Sequence, residues 1–200
     1  MFITLDGIDG SGKSSQVELL HRHLESTGVN VLRVRDPGGT PPGEAIRELL
    51  LDSNFEMHRR CEALLFLAAR AQLVESQIRP ALQVGTVVIS DRFLLANVVY
   101  QSTGSDILPD DLWRVGEWAS GGLRPDLTLL LDMPAASAMT RLERPRDRME
   151  SRGVEYMEAV RMAFLVQLPR AAHATAIIRA DRDREEIHFD IVAAVREANQ

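Results

Sequence analysis

Two hundred residues, 45% of them hydrophobic, can bury a full core and suit one domain. A formal net charge of -6 argues against a general nucleic-acid or membrane surface, since such binding rests on a broad excess of cations, so any anion site must be local. A single cysteine, Cys61, permits no intrachain disulfide, and with no signal-peptide pattern and no apolar run near the ~20 residues that span a bilayer, the chain reads as cytoplasmic.

The first predicted element is a buried strand, Phe2 to Leu5. It runs into Gly7-Ile8-Asp9-Gly10-Ser11-Gly12-Lys13-Ser14-Ser15, which fits the spacing G-x-x-x-x-G-K-[ST]. In that pattern glycines turn backbone N–H groups inward around phosphate oxygens, the lysine reaches the outer phosphates, and the hydroxyl holds magnesium. Lys13 is the only lysine; the other 22 basic side chains are arginine. Arginine replaces lysine on a solvated surface, but a phosphate loop needs a compact ammonium on a flexible stem. Apolar residues at helical spacing from Gln16 to Leu24 complete the strand, loop and helix that the mechanism requires.

Further strands are expected at Val29 to Val34, Thr86 to Ser90, Leu127 to Leu131 and Ala174 to Ile178, with helices between them. The longest helix is predicted over about Glu56 to Gln83, with Pro80 disturbing only its last turn. The alternation implies a five-stranded parallel sheet flanked by helices, with ligands at the strands' C-terminal ends. Gly7, Asp36, Asp91 and Asp132 fall at such ends. Of the last two, Asp91 better suits a magnesium-associated carboxylate, because Arg92 follows it and supplies a guanidinium for phosphate. Asp132 reads as a turn or cap before a helix begun at Pro134. From Arg141 to Arg148, four arginines interrupted by Pro145 suggest an arginine-rich lid over about 142–152 that closes over a migrating phosphoryl group. The five histidines show no metal-ligand spacing.

In order and spacing, these blocks resemble the thymidylate kinase family. The residues that carry the resemblance are Asp6 to Ser15, Arg35-Asp36-Pro37-Gly38-Gly39-Thr40, Leu64 to Gln72, Ser90-Asp91-Arg92, Tyr100-Gln101 and Arg124 to Asp132, with aspartate replacing glutamate in some blocks. The resemblance reaches from residue 2 to about 170. It implies a three-layer P-loop NTPase fold and transfer of the γ-phosphoryl group of ATP to dTMP with Mg2+, in a cytoplasmic homodimer.

By that resemblance, Gly7 to Ser15 hold the donor phosphates, Ser14 and Asp91 the metal, and Asp9 lies near the deoxyribose 3′-hydroxyl. Arg92 bridges acceptor and donor, assisted by Arg144, Arg146 or Arg148 from the lid. Phe66 and Arg70, four apart and hence on one helix face, hold the thymine base, with Asn97 and Gln101 lining its pocket. Tyr100 sits against the sugar and Pro37 shapes the monophosphate site. Phe93, Leu95 and Ala96 stand where the family commonly has polar residues, so polar contacts near the acceptor phosphate are expected to be missing. Another P-loop pyrimidine nucleotide or deoxynucleoside kinase would share most of these features, and a non-catalytic nucleotide binder is compatible with the motifs. A GTPase-type regulator would need an N/T-K-x-D block, which a chain with no second lysine lacks.

Overall fold

The computed structural model describes residues 1–51, 56–141 and 153–199. Five strands, β1 (Phe2–Asp6), β2 (Val31–Arg35), β3 (Val87–Asp91), β4 (Leu127–Asp132) and β5 (Ala174–Arg179), form one sheet in the order β2-β3-β1-β4-β5. Every pairing is parallel. Each strand lies within two residues of its expected start and one of its expected end. β1 is buried along its whole length and β4 along all but its last residue, as continuous apolar runs should be when helices cover both faces. β2 and β5 form the sheet edges and are more exposed, each with one buried residue, Val34 and Ile178.

Register decides where chemistry can occur. Leu5 lies level with Asp91, and Asp6 with Leu130, so the segments after β1 and β3 emerge side by side at one edge. Nine α-helices are described: α1 (Lys13–Ser26), α2 (Pro41–Leu51), α3 (Arg59–Leu73), α4 (Arg79–Gln83), α5 (Leu94–Ser102), α6 (Pro109–Ala119), α7 (Ala135–Thr140), α8 (Val154–Gln167) and α9 (Arg184–Ala198).

The long helix expected over 56–83 is not continuous. It starts at Arg59 because His58 caps it, its Nδ1 accepting from Arg60 N at 3.2 Å. It then widens into a π-helical turn at Val74–Ile78, further upstream than Pro80 was expected to act. Proline has no N–H and its ring crowds the carbonyl four residues back, so a wider turn that pairs Arg79 N with Val74 O accommodates it. The turn also carries Gln77, whose amide donates to Gly39 O and ties the helix to the loop after β2.

Asp132 does not cap α7. It accepts from Arg161 of α8 at 2.6 and 2.8 Å, while Glu158 takes the first α7 amide, Ala135 N, at 2.9 Å. α8 is further held to α5 by Phe164, 1% exposed, whose ring meets Tyr100 edge to face at 5.8 Å. Phe164→Ala should therefore cost about 3–5 kcal/mol of unfolding free energy, read from urea denaturation.

Candidate active site

Loop geometry follows from glycine. Gly7 and Gly10 have φ of 142° and 83°, and a Cβ on them would lie 2.6 Å from Leu131 O and 2.1 Å from Ala138 O. The loop is thus pressed onto the ends of β4 and α7, where only glycine fits. It feeds directly into α1, which has no side-chain cap, so the N-terminal amides of this helix face the loop as an anion site. Lys13 folds back inside the curve, and its Nζ donates to Ile8 O at 2.9 Å and lies 3.8 Å from Asp9 Oδ1. Burial, reinforced by Arg92, pulls its pKa down to about 8 against the opposing pull of Asp9, Asp91 and Asp6. Ser14 Oγ donates to Asp91 Oδ2 at 2.7 Å, joining the loop to the end of β3.

Arg92 is the described non-glycine residue with positive φ, at 70°. Its N–H donates to Leu5 O at 3.0 Å and its carbonyl accepts from Ser90 Oγ at 2.6 Å, which hold that conformation. The turn throws the guanidinium back across β1, where it donates to Asp9 Oδ1 at 2.5 Å and Gly7 O at 3.2 Å and stacks 5.1 Å from the Tyr100 ring. Tyr100 Oη donates to Asp9 Oδ2 at 3.2 Å. Burial works to raise the Asp9 pKa, but Arg92 and Lys13 outweigh it and hold the carboxyl well below its usual range.

A cleft of about 1020 Å³ lies over this cluster. Of the residues singled out in the sequence, Asp9, Gly10, Ser11, Gly12, Lys13, Ser14, Ser15, Pro37, Phe66, Asp91, Arg92, Asn97, Tyr100 and Gln101 line it. Gly7 and Ile8 lie beneath it, Ile8 at 1% exposure. Arg144, Arg146 and Arg148, with the expected lid over 142–152, lie outside the described residues.

Arg70 stands behind the cleft wall at 1% exposure, deeper than expected for a residue presented to a base. Its Nε donates to Asp36 Oδ2 at 2.5 Å, Nη1 to Asn97 Oδ1 at 3.0 Å and Nη2 to Phe93 O at 3.3 Å, engaging three of its five N–H groups. Asn97 in turn donates from Nδ2 to Gln101 Oε1 at 2.8 Å, which leaves the Gln101 amide nitrogen buried with no described acceptor. The α3–α5 wall therefore holds an oriented amide donor on Gln101, unpaired among the described residues, and Gln101 and Phe66 both line the cleft.

Phe93 and Leu95 point into the core, each 2% exposed, and Phe93 packs edge to face on Phe2 at 5.0 Å. Of the three departures noted in the sequence, only Ala96 lines the cleft, so the expected polar loss shrinks to that position.

Other lining residues have no individual role assigned from sequence, although Arg35 opens the 35–40 block and Arg141 the arginine run. Arg35 and Arg47 flank Pro37, with Arg47 Nη1 donating to Pro37 O at 3.1 Å. Arg141, Arg182, Asp183 and Arg184 line the opposite end, after α7 and β5. The rule that ligands collect at strand C-termini points to the segment after β5, but nothing local points to Arg47.

Asp6, the last residue of β1, also went unassigned. It is fully buried and neither carboxyl oxygen accepts a hydrogen bond from a described residue. Burial raises its pKa to about 6, opposed by Arg92 and Lys13. Its folded pKa exceeds the unfolded value of 3.8, so its contribution to stability is intact below about pH 4 and is lost as pH rises through 6. An Asp6→Asn variant, neutral throughout, should gain on the parent over that window, reaching roughly 3 kcal/mol by pH 7 in urea titrations of the ligand-free protein.

The family model described as Thymidylate kinase matches residues 5–191. The chain is 56% identical over 191 residues to the thymidylate kinase of Rhodopirellula baltica, spanning 96% of this chain and 78% of that protein. It is 44% identical over 193 residues to the thymidylate kinase of Fervidobacterium nodosum, covering 96% of each. Against that of Bifidobacterium longum, identity is 41% over 201 residues, with 98% of each covered.

Proposed function

The chain belongs to the thymidylate kinase family, and from that premise we propose that it transfers the γ-phosphoryl group of ATP to dTMP, giving dTDP. The observation that carries this reading is a single cleft in which a phosphate loop, an Asp-Arg pair and an aromatic wall with an oriented amide donor meet.

Sheet order divides the work. Acceptor-side groups Asp36, Arg47, Phe66, Arg92 and Asn97 come from β2, β3 and the helices beside them. With the donor phosphates at the loop after β1, the donor nucleoside extends over the β4–β5 half, against Arg141 and the 182–184 segment. Lys13 and the loop amides hold the outer phosphates. Arg92 and Arg47 hold the acceptor phosphate, and Arg92 and Lys13 offset charge on the migrating group. An ionised phosphate is already a nucleophile, so positioning rather than a strong general base supplies most of the rate. Asp9, kept ionised by Arg92 and Lys13, accepts from the sugar hydroxyl while Tyr100 closes the space beside it. Phe66 stacks on the base, and Gln101 Nε2 donates to a base carbonyl with Arg70 bracing Asn97 behind it.

The oxygen-only pair of Ser14 hydroxyl and Asp91 carboxylate, 2.7 Å apart, suits a hard divalent cation. Mg2+ there would neutralise donor phosphate charge, with Ser14 and Asp91 holding the ion or its waters. We assign Arg144, Arg146 and Arg148 of the 142–152 lid a share of the transition-state charge from their sequence alone. We further propose a homodimer, whose interface would draw on the exposed apolar side chains Leu64 of α3 and Trp118 of α6, two helices that pack against each other, and a cytoplasmic location, which fits the lone Cys61. No helix among the described residues is long and apolar enough to cross a membrane.

A coupled assay with ATP and a panel of dTMP, dUMP, dCMP, AMP and thymidine should show preference for dTMP; equal use of the panel would refute the substrate assignment. In the same assay Arg70→Ala should cut kcat/KM for dTMP by at least about 100-fold, since it leaves the Asp36 carboxylate buried and unpaired and frees Asn97.

A further inference from the structure

Gln16 lies one helical turn beyond Lys13 and is 2% exposed. Its Nε2 donates to Arg184 O at 2.9 Å, across 168 residues of sequence. Its Oε1 is buried with no described donor, and since a carbonyl can only accept, the amide orientation is set by Arg184 alone. The side chain is therefore a one-sided tether between the helix that begins with the phosphate-binding lysine and the turn after β5.

That turn is braced within itself, Arg182 Nε donating to Arg179 O at 3.2 Å, and its other described ties to the fold lie at its ends. Ala180 N donates to Asp132 O at 2.8 Å and Ala180 O accepts from Arg141 Nη1 at 3.0 Å. At the far end Asp183 caps α9, accepting from Glu185 N at 2.8 Å, and Arg182 pairs with Asp190. Between these anchors, Gln16 is the described hydrogen bond that fixes the distance from the turn to the phosphate loop.

We infer that Gln16 is a positioning residue for the donor nucleoside: it sets the spacing between the loop that holds the phosphates and the 182–184 wall that holds the sugar and base. The inference rests on the reading of the donor as a nucleoside triphosphate whose nucleoside lies over the β4–β5 half of the cleft. A donor gripped at both points loses the second grip when the wall drifts, while its phosphates stay bound. Acceptor binding, on the β2–β3 half, is untouched.

Gln16→Met keeps the volume and removes the donor. It should raise the KM for ATP by up to about tenfold, the value of one hydrogen bond near 1.4 kcal/mol, with kcat and the KM for dTMP within about twofold. Inorganic tripolyphosphate, which has phosphates but no nucleoside, should inhibit parent and variant with the same Ki. An unchanged KM for ATP, or tripolyphosphate weakened as much as ATP, overturns the inference. A second measurement needs no variant: amide hydrogen exchange over 180–186 in the parent should slow with a non-hydrolysable ATP analogue and not with tripolyphosphate, and any other pattern counts against the tether. Parent turnover of dTMP with ATP, read in the same assay, tests the underlying reading separately.

Discussion

The site depends on keeping one ammonium charged inside a folded loop. Removing an ion from water costs several kcal/mol even after relaxation, and Lys13, 6% exposed, lies close enough to Arg92 for the two cations to repel. Asp9, Asp91 and Asp6 oppose that penalty, and the fold is arranged so that all of them arrive together. Asp6 ends β1, Asp91 ends β3, and Asp9 sits in the loop between β1 and α1. The strained backbone of Arg92 aims its guanidinium at Asp9 rather than at solvent. A bound polyphosphate replaces this internal balance with a stronger anion, which explains why a loop with a weakened lysine in the ligand-free state suits the task.

A second consequence is the division of the cleft along the sheet. Because β1 lies at the centre, the loop after it faces two halves of the sheet, β2–β3 on one side and β4–β5 on the other. The acceptor half is braced by the buried Asp36–Arg70–Asn97–Gln101 chain, in which each side chain fixes the orientation of the next. The donor half is braced by Arg141, Gln16 and the α9 cap. Arg92 and Tyr100 join the acceptor half to the phosphate loop through Asp9.

What the sequence made legible was local. The phosphate loop, the five strands and the Asp91–Arg92 step are carried by contiguous residues, and the structure finds them within a residue or two. Contacts that depend on distant chain segments were not legible. Arg70 faces Asp36, 34 residues away, and Gln16 meets Arg184 across 168. Arg47 reaches the cleft only because Pro37 O and the loop after β2 turn α2 toward it. Phe93 was read as a lost polar contact because a motif position names a residue but not the direction it faces, and here it faces Phe2. The π-helical turn arises from a proline acting on the carbonyls before it, an effect that helical periodicity does not register.

The central claim is that a compact ammonium at position 13, and not merely a positive charge, holds the donor phosphates in this loop. Steady-state turnover of dTMP with ATP in a Lys13→Arg variant tests it most directly, with circular dichroism to check that the fold persists. A planar guanidinium cannot fold back onto Ile8 O within the loop, so turnover should fall by a factor on the order of 100 or more while the thermal transition stays close to that of the parent. Near-parental turnover in a folded Lys13→Arg protein would contradict the account.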